Sequence, residues 1–398
     1  MAATELLTLL LLSAPRPVGS EADTEAPEAQ LAPPSGTRVA SRVAVYDDDD
    51  GLTVVTPIVS FEQRIFDATE LGVEYDADIL SAATVDVRTS ATQQFKEVRH
   101  GVAVSGAQRV ASLETELSGA VAYSHEADYR SITLGGGFSS ELLEKNLTVG
   151  LGYSFVSNDV GRSGTPFSNF SESSRIHAFS FSITQLLSKR SYLQLSGSVI
   201  GSYGYQASVY RYVPVFLEGT VDPAKVNETT LLDGSVVPVM RPAERLPQDR
   251  LRAAGVVRLN QGFATDTSVS ADYRFYGDGW GVQSHTIGLA VYQHLPAGLV
   301  LRGRNRLYLQ SAADFYQDVA MVGAAGELPE LYTSDRELGT FWYDMAGLKL
   351  ILELGKGELF ERVTIDVALD VQFTRYSDFV YLETRTAWIG SSGLSFEL

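Results

Sequence analysis

Apolar and polar side chains alternate along most of the chain beyond residue 37, with the period of two that β-strands produce. In the segment 146–156 the intervening residues are threonine, glycine or serine, and the large apolar ones are Leu147, Val149, Leu151, Tyr153 and Phe155. The segments 176–184, 191–203 and 363–373 repeat this scheme. Helical periodicity is almost absent, so the sequence predicts an all-β fold.

The length of the alternating segments distinguishes a transmembrane β-barrel from a soluble β-sandwich. They run for about ten residues or more, whereas soluble strands average about five or six. One side of each segment carries Leu, Val, Ile and aromatic residues, and the other carries small or charged residues. This contrast is typical of a lipid-facing surface opposite a wet lumen. We therefore predict a transmembrane antiparallel up-and-down β-barrel rather than a soluble sandwich.

The alternating segments number about sixteen, with fourteen as the rival count. The first segment rests on the alternation within residues 38–46 and is needed for the even number that single-chain bacterial barrels have. The strands are expected at 38–46, 52–65, 70–79, 94–106, 112–124, 129–139, 145–157, 174–187, 190–205, 249–261, 265–277, 282–294, 299–310, 337–354, 361–376 and 384–398.

The connections between these segments fall into two alternating classes. The first class is short, with centres at 67–69, 108–111, 188–189, 296–298 and 355–357. The second class is often long, with members at 80–93, 158–173, 206–248 and 311–336. Short periplasmic turns opposite long extracellular loops are typical of outer-membrane barrels, and no β-sandwich predicts this sorting.

The N-terminus reads as an export signal. An apolar core at Leu6–Ala14 is followed by small residues at 18–20, and it is too short to span a bilayer. We expect a signal peptide at 1–20, a flexible periplasmic lead-in at 21–36 and the barrel at 37–398. The expected location is the outer membrane of a Gram-negative bacterium, and its lipid and the barrel-assembly machinery are the expected partners.

The composition of the chain excludes several partners and chemistries. The net charge of −18 argues against nucleic acid as a partner, because phosphate binding needs a basic surface. Cysteine is absent, which excludes disulfides, thiolate nucleophiles and cysteine-bound zinc. No run of eighteen apolar residues occurs, so any membrane crossing must be made by strands.

Arginines form rows on single strand faces. Cations stacked on one face cannot point into hydrocarbon, so the rows are expected to face the lumen. The two rows are Arg302, Arg304 and Arg306, followed by Tyr308, and Arg250, Arg252 and Arg258; the acids available to pair with them are Glu74, Asp76, Asp78, Glu114, Glu116, Asp366 and Asp370. A charged constriction that selects permeants is one interpretation. A structural ion-pair network that stiffens the barrel is the other, and segment 206–248 is long enough to fold inward as a plug.

Acidic clusters recur near the expected outer strand ends. They include Asp47, Asp48, Asp49 and Asp50, and Glu126 with Asp128. Such oxygen-rich groups could bind a divalent cation, whereas the alternative is a solvated acidic rim. The five histidines show no ligand spacing, although His125 beside Glu126 and Asp128 would suit a metal or an acid–base pair. No nucleophile constellation is recognisable, so we expect no resident cofactor and no enzyme activity.

Several strings resemble a family of bacterial outer-membrane barrels that is catalogued only as a domain of unknown function. The strings are YDDDD at 46–50, YDAD at 75–78, SHEADYRS at 124–131, ERLPQDRLR at 244–252, DGWGVQSHT at 278–286 and QSAADFY at 310–316. The resemblance covers nearly all of the mature chain. It implies a barrel in the outer membrane and carries no catalytic residue onto this sequence.

Two functions from different classes remain open. The first is a porin-like channel or passive transporter for small polar solutes, with the charged rows setting selectivity. The second is a non-enzymatic scaffolding barrel whose loops bind a periplasmic or surface protein, for instance a redox protein that brings its own cofactor. An outer-membrane enzyme comes third.

Overall fold

A computed structural model describes residues 36–66, 68–82, 84, 95–323, 325–355, 357 and 360–398. The expected signal peptide and, apart from Gly36, the expected lead-in lie outside these residues. Within the described residues, no helix combines the length and the apolar character needed to cross a bilayer.

Sixteen antiparallel strands form one closed barrel. The alternating segments form strands because one face of each is apolar and the other polar, which suits a sheet between lipid and water. The barrel strands are β1 (Thr37–Asp48), β2 (Leu52–Phe66), β3 (Thr69–Ala82), β4 (Phe95–Val110), β5 (Thr115–His125), β6 (Tyr129–Leu142), β7 (Leu147–Val160), β8 (Glu172–Ser188), β9 (Ser191–Gly204), β11 (Asp249–Gly262), β12 (Thr267–Asp278), β13 (Gln283–Leu295), β14 (Leu299–Gln310), β16 (Phe341–Leu354), β17 (Arg362–Tyr376) and β18 (Thr384–Glu397).

The ring closes between the first and last strands. β1 pairs with β18 from Arg38 opposite Glu397 to Asp48 opposite Ala387, and with β2 on its other side. Every other barrel strand pairs with the barrel strands that precede and follow it in the chain, so that β9 pairs with β11 and β14 pairs with β16. The count of sixteen is therefore confirmed, and the weakest segment of the sequence pattern is the one that seals the sheet.

The connections sort into two ends of the barrel. The turn end carries 67–68, 111–114, 143–146, 189–190, 263–266, 296–298 and 355–361, and the loop end carries the remaining connections, including 205–248 and 311–340. The sequence placed the start of β5 at 112, but residues 111–113 form a 3₁₀ turn. Glu114 ends that turn in the left-handed region at φ 48°, so the ladder begins only at Thr115.

Outward side chains form an apolar belt between two polar girdles. Near the loop end, three tyrosines form hydrogen bonds with histidines on neighbouring strands: Tyr75 with His100, Tyr153 with His177, and Tyr273 with His285. We call these pairs the Tyr–His girdle. Amphipathic rings of this kind favour the boundary between lipid and water.

Near the turn end, a second girdle is made of glutamines. Each side-chain amide donates to the backbone carbonyl of the residue that follows it. The members of this Gln girdle are Gln63, Gln108, Gln185, Gln261 and Gln293. Between the girdles, the outward side chains are mainly exposed Val, Leu, Ile and Phe. This belt defines the lipid-facing surface.

Two long loops meet at the loop end and form a plug. Segment 205–248 contributes β10 (Val215–Leu217) and the short helix α1 (Glu228–Leu232), and segment 311–340 contributes β15 (Ala320–Val322). β10 and β15 pair in parallel, and Val213, Val215 and Phe216 are fully buried. A second set of plug residues packs against Phe341 and Tyr376, which lie on the inner wall.

The belt leads to a prediction about Leu289, which lies midway between His285 and Gln293 on the outward face of β13 and is 49% exposed. Replacing it with Arg places a cation in hydrocarbon and should cost about 2–4 kcal/mol of unfolding free energy in bilayers. The same substitution at Gln293, on the same face but in the girdle, should cost about 0–1 kcal/mol. Denaturant titration in lipid vesicles measures both. Equal losses would contradict the placement of the belt.

Candidate functional site

All six arginines of the two rows lie on inward positions of β11 and β14. Arg302, Arg250 and Arg258 are buried, and Arg252, Arg304 and Arg306 are half-buried. Of the seven acids named with them, Glu74, Asp76, Asp78, Asp366 and Asp370 lie on inward positions of β3 and β17. The inward placement is a consequence of the two-residue period, since these side chains alternate with the apolar belt.

Arg304 and Asp370 form a two-point ion pair across the strand between them. Arg304 Nε lies 2.6 Å from Asp370 Oδ1, and its Nη2 lies 2.9 Å from Oδ2. The intervening strand, β16, carries Gly347 at the crossing point, and a Cβ there would meet Asp370 Oδ1 at 1.7 Å. Glycine at 347 therefore makes room for this pair.

Asp366 lies two inward positions further towards the turn end, beyond Ala368, and faces two cations. Lys349 Nζ is 3.6 Å from Asp366 Oδ2, and Arg42 Nη2 is 3.7 Å from Oδ1. Lys349 belongs to β16, the strand next to β17, whereas Arg42 belongs to β1, so the Arg42 contact spans the intervening strand β18. The sequence analysis did not include either cation among the inward charges.

Arg99 on β4 binds two carboxylates of β3. Its Nε donates to Asp78 at 2.6 Å, and its Nη2 donates to Asp76 at 2.6 Å. All three side chains are nearly completely buried. Arg99 was also missed from sequence, although its inward parity on β4 could have identified it.

The three arginines of β11 contact polar groups at different depths of the barrel. Arg250 donates to Asp278 at 2.6 Å, and its guanidinium lies 4.2 Å from the centroid of the Trp280 ring. Arg252 donates to the Ser202 hydroxyl at 2.7 Å. Further towards the turn end, Arg258 Nε is 3.9 Å from Asp272 Oδ1. The arginine rows of β11 and β14 therefore form ion pairs or hydrogen bonds with residues of other strands.

The plug is held to the wall by buried charges. Arg336 of the plug pairs with Asp50 in the β1–β2 connection, and Arg385 of β18 lies 3.4 Å from Glu337. Within the plug, Arg211 pairs with Asp335. Removing one partner of such a buried pair leaves a desolvated charge, so these contacts fix the position of the plug.

A cavity of about 240 Å³ lies between the plug and the inner wall. It combines cations, carboxylates and aromatic rings, a mixture that can bind a small polar molecule by charge and by ring contact. The residues that define it include Arg211 and Glu244 from the plug and Arg252, Arg274, Tyr276 and Tyr308 from the wall.

The acidic run at 47–50 builds a turn. Asp48 Oδ1 accepts the backbone N–H of Asp50 at 3.1 Å and that of Leu52 at 2.9 Å. Asp49 accepts from the Thr386 N–H, and Asp47 accepts from Thr53 Oγ1. Asp48 and Asp50 are buried, so these two carboxylates do not belong to a solvated rim. The binding of a divalent cation stays a prediction.

Glu126 and Asp128 lie in the β5–β6 connection beside Glu97 of β4. One carboxylate oxygen of each lies within 4.8 Å of the others. The Tyr210 hydroxyl of the plug donates to Asp128. This contact joins a short connection to the plug, and sequence reasoning could not find it because the two residues are far apart in the chain. His125, considered with them as a metal or acid–base site, occupies an exposed position at the end of β5.

Two of the three remaining candidate acids lie at the turn end. Glu114 and Glu116 are exposed at the β4–β5 connection and the start of β5. Glu74 is half-buried on β3, next to Asp76 on the inward face. The structure therefore brings the central acids into ladders and leaves Glu114 and Glu116 at the rim.

A closed ring with an apolar exterior, a charged interior and a plug formed by two loops belongs to the class of transmembrane β-barrels. The family model described as "Protein of unknown function (DUF3570)" matches residues 89–367, and the chain belongs to this family. The resemblance to an uncharacterised barrel family is thereby confirmed. A search of the curated proteins finds no match.

Solved structures similar to the chain include a siderophore receptor, an outer membrane secretin and a hydrocarbon channel. The siderophore receptor PirA from Pseudomonas aeruginosa shares 10% identity at a TM-score of 0.44, over 91% of this chain and 62% of that chain. A bacterial polysaccharide outer membrane secretin shares 7% at 0.48, over 91% and 98%. The CymD monoaromatic hydrocarbon channel shares 9% at 0.44, over 96% and 95%. The chain thus spans less than two thirds of the length of PirA.

Glu126 generates a pH prediction, because it lies outside the strands. Burial, followed by repulsion from the Asp128 carboxylate, raises the pKa of Glu126 from 4.5 to about 7. The folded chain therefore favours the neutral carboxyl. The stabilisation of the folded chain by the neutral Glu126 carboxyl is complete below about pH 4.5, and it is lost as the pH rises through about 7.

Glu126→Gln keeps this side chain neutral at every pH. We expect it to melt at a higher temperature than the unchanged chain at about pH 8 and at a similar temperature at about pH 4. Heat-induced mobility shifts on gels measure the melting temperature. Glu144→Gln, at an exposed position of the turn end, is the matched control. A stabilisation of the Glu126 variant that is the same at both pH values would contradict the assignment.

Proposed function

We propose that this barrel is a channel or passive transporter for small polar solutes in the bacterial outer membrane. The observation that carries the proposal is the asymmetry of the lumen. The inward positions of β14, β16 and β17 hold Arg302, Arg304, Lys349, Asp366 and Asp370. The inward positions of β5, β6 and β7, halfway round the ring, hold mainly Ser, Ala and Gly.

Small side chains on one wall leave the centre of a sixteen-stranded barrel unfilled, because a ring of this size is too wide for side chains to close. The charged ladders on the opposite wall supply groups that can replace part of the hydration of a polar solute. The cavity between the plug and the wall lies where a solute entering from the loop end would pass.

The ion-pair ladder and the selectivity filter are compatible interpretations of the same residues. The pair between Arg304 and Asp370 neutralises both charges and stiffens the wall, which is the structural role. A permeating ion still experiences the local field of each group at close range. The two roles differ in what happens when only the cations are removed.

Replacing Arg302, Arg304 and Arg306 together with Ala tests the channel function. The change leaves the lumenal carboxylates in place, so the reversal potential in a planar bilayer under a salt gradient should shift towards cation selectivity. The matched control replaces three outward arginines, Arg130, Arg175 and Arg375, with Ala. All three are exposed, and their loss removes the same charge from the outside of the barrel.

We expect the lumenal triple variant to shift the reversal potential and the outward triple variant to leave it almost unchanged. Absence of conductance in the unchanged protein, under every voltage and salt condition, would refute the channel. Equal shifts for both variants would refute the assignment of selectivity to the arginine row.

A scaffolding role is the second proposal, and exposed apolar residues of the plug favour it. Leu232, Val237 and Val239 are 55%, 66% and 54% exposed, which is high for a loop outside the lipid belt. A surface protein that binds this patch would co-purify with the unchanged barrel. It should be lost when Val237 and Val239 become Ser. Conductance without co-purification would leave only the channel proposal.

The positions of three of the five histidines support a function without catalysis. His100, His177 and His285 each form a hydrogen bond with an outward tyrosine of the Tyr–His girdle. A general base needs access to the substrate. Groups on the lipid-facing side lack that access to a solute in the lumen.

A further inference from the structure

One polar pair lies on the lipid-facing surface of β14 and β16. Asn305 and Asp344 occupy outward positions and are exposed. Asn305 Nδ2 donates to Asp344 Oδ1 at 2.9 Å and to the Met345 backbone carbonyl at 3.2 Å. The two residues and their small neighbours Gly303 and Ala346 are called the Asn305–Asp344 face.

The strand register places Asn305 inside the apolar belt. On β13, His285 belongs to the Tyr–His girdle and Gln293 to the Gln girdle. Their partners on β14 are Leu309 and Leu301. Asn305 is equidistant in sequence from these two leucines, so it lies at the middle of the belt. Asp344 is paired with Leu307, between Asn305 and the Tyr–His girdle.

A carboxylate in this position differs from the other outward carboxylates, which lie near the strand ends. The other carboxylates at outward positions of the described strands, Asp47, Asp159 and Asp249, lie within two residues of the strand ends at the loop end. They reach water there. Asp344 instead has Trp342 between itself and the loop end of β16. Polar groups within a membrane are costly and commonly mark a contact with another polar group.

The shape of the surface around the pair allows a close approach. Gly303 has no side chain, and Ala346, directly opposite Asn305, has only a methyl group. Around them stand exposed apolar side chains, namely Leu309, Leu348, Val371 and Phe373. Small residues beside a polar group are what tightly packed interfaces within membranes use, because backbones can then come close together.

We propose that the Asn305–Asp344 face is the contact surface for a second copy of this chain within the membrane. One patch carries both an amide donor and a carboxylate acceptor. That is what a two-fold contact requires, because each surface meets its own copy. The amide hydrogen directed at the Met345 carbonyl makes the longer of the two contacts. Turning it towards the carboxylate of the facing Asp344 would link the two copies twice.

Cysteine cross-linking in the membrane tests this contact, since the chain has no cysteine of its own. Ala346→Cys places a single thiol on the face. Leu134→Cys places one at an outward position of β6, halfway round the ring, where the side chain is 47% exposed. With a short bis-maleimide reagent in native membranes, we expect covalent dimers of the first variant and almost none of the second.

The polar pair itself is tested by adding Asn305→Leu and Asp344→Leu to the Ala346→Cys chain. Both changes make the surface more compatible with lipid, so the barrel should still fold, which heat-induced mobility on gels checks. We expect dimer formation to fall to the level of the Leu134→Cys control. The control pair Ser41→Leu and Ser392→Leu changes outward polar residues on β1 and β18 and should leave the dimer intact.

Three results would overturn the proposal. The first is equal cross-linking at positions 346 and 134, which would show random collision. The second is cross-linking of position 346 to a different protein only. The third is a dimer that persists without the polar pair. If the leucine variant fails to fold, the comparison of positions 346 and 134 alone decides. Conductance is a separate measurement, so failure of the dimer and failure of the channel are distinguishable.

Discussion

The need to satisfy every backbone hydrogen bond in hydrocarbon determines this structure. An open sheet would leave a row of unpaired N–H and C=O groups at each edge, and no water is present in the membrane to bind them. The pairing of β1 with β18 removes both edges at once. Leu398 donates to the Thr37 carbonyl, and Thr37 donates back to the Leu398 carbonyl, so the two ends of the barrel chain close the seam.

Closure of the barrel then determines whether each strand side chain faces lipid or the lumen. Because side chains alternate across a strand, one set faces lipid and the other faces the lumen along the whole ring. The lipid-facing set is mainly apolar between the two girdles, and Asn305 with Asp344 is the polar pair on which the proposed contact between copies rests. The inward set is free to be polar. It is organised into ladders such as Arg304 with Asp370, in which the charges compensate each other.

Function depends on what the loops add to this ring. A barrel of sixteen strands is too wide for its own side chains to close. Segments 205–248 and 311–340 cover the loop end, and buried ion pairs such as Arg336 with Asp50 attach them to the wall. In the proposed channel, the plug would set the size and the charge of the passage at that end, whereas the strands would set the charge further inside. Solute selection by the channel would combine both.

The sequence by itself determined the class of fold and the face of the sheet to which side chains point, because a period of two is a local property that neighbouring residues carry. It predicted sixteen strands with fourteen as the rival count, and the structure decided for sixteen. It also placed Arg302 and Asp370 in the lumen. Only the tertiary structure decided which groups meet. Arg99 binds two acids of the strand before it, and Tyr210 reaches Asp128 from a distant loop. These contacts depend on the register between strands and on the path of the loops, and a one-dimensional pattern of polarity contains neither.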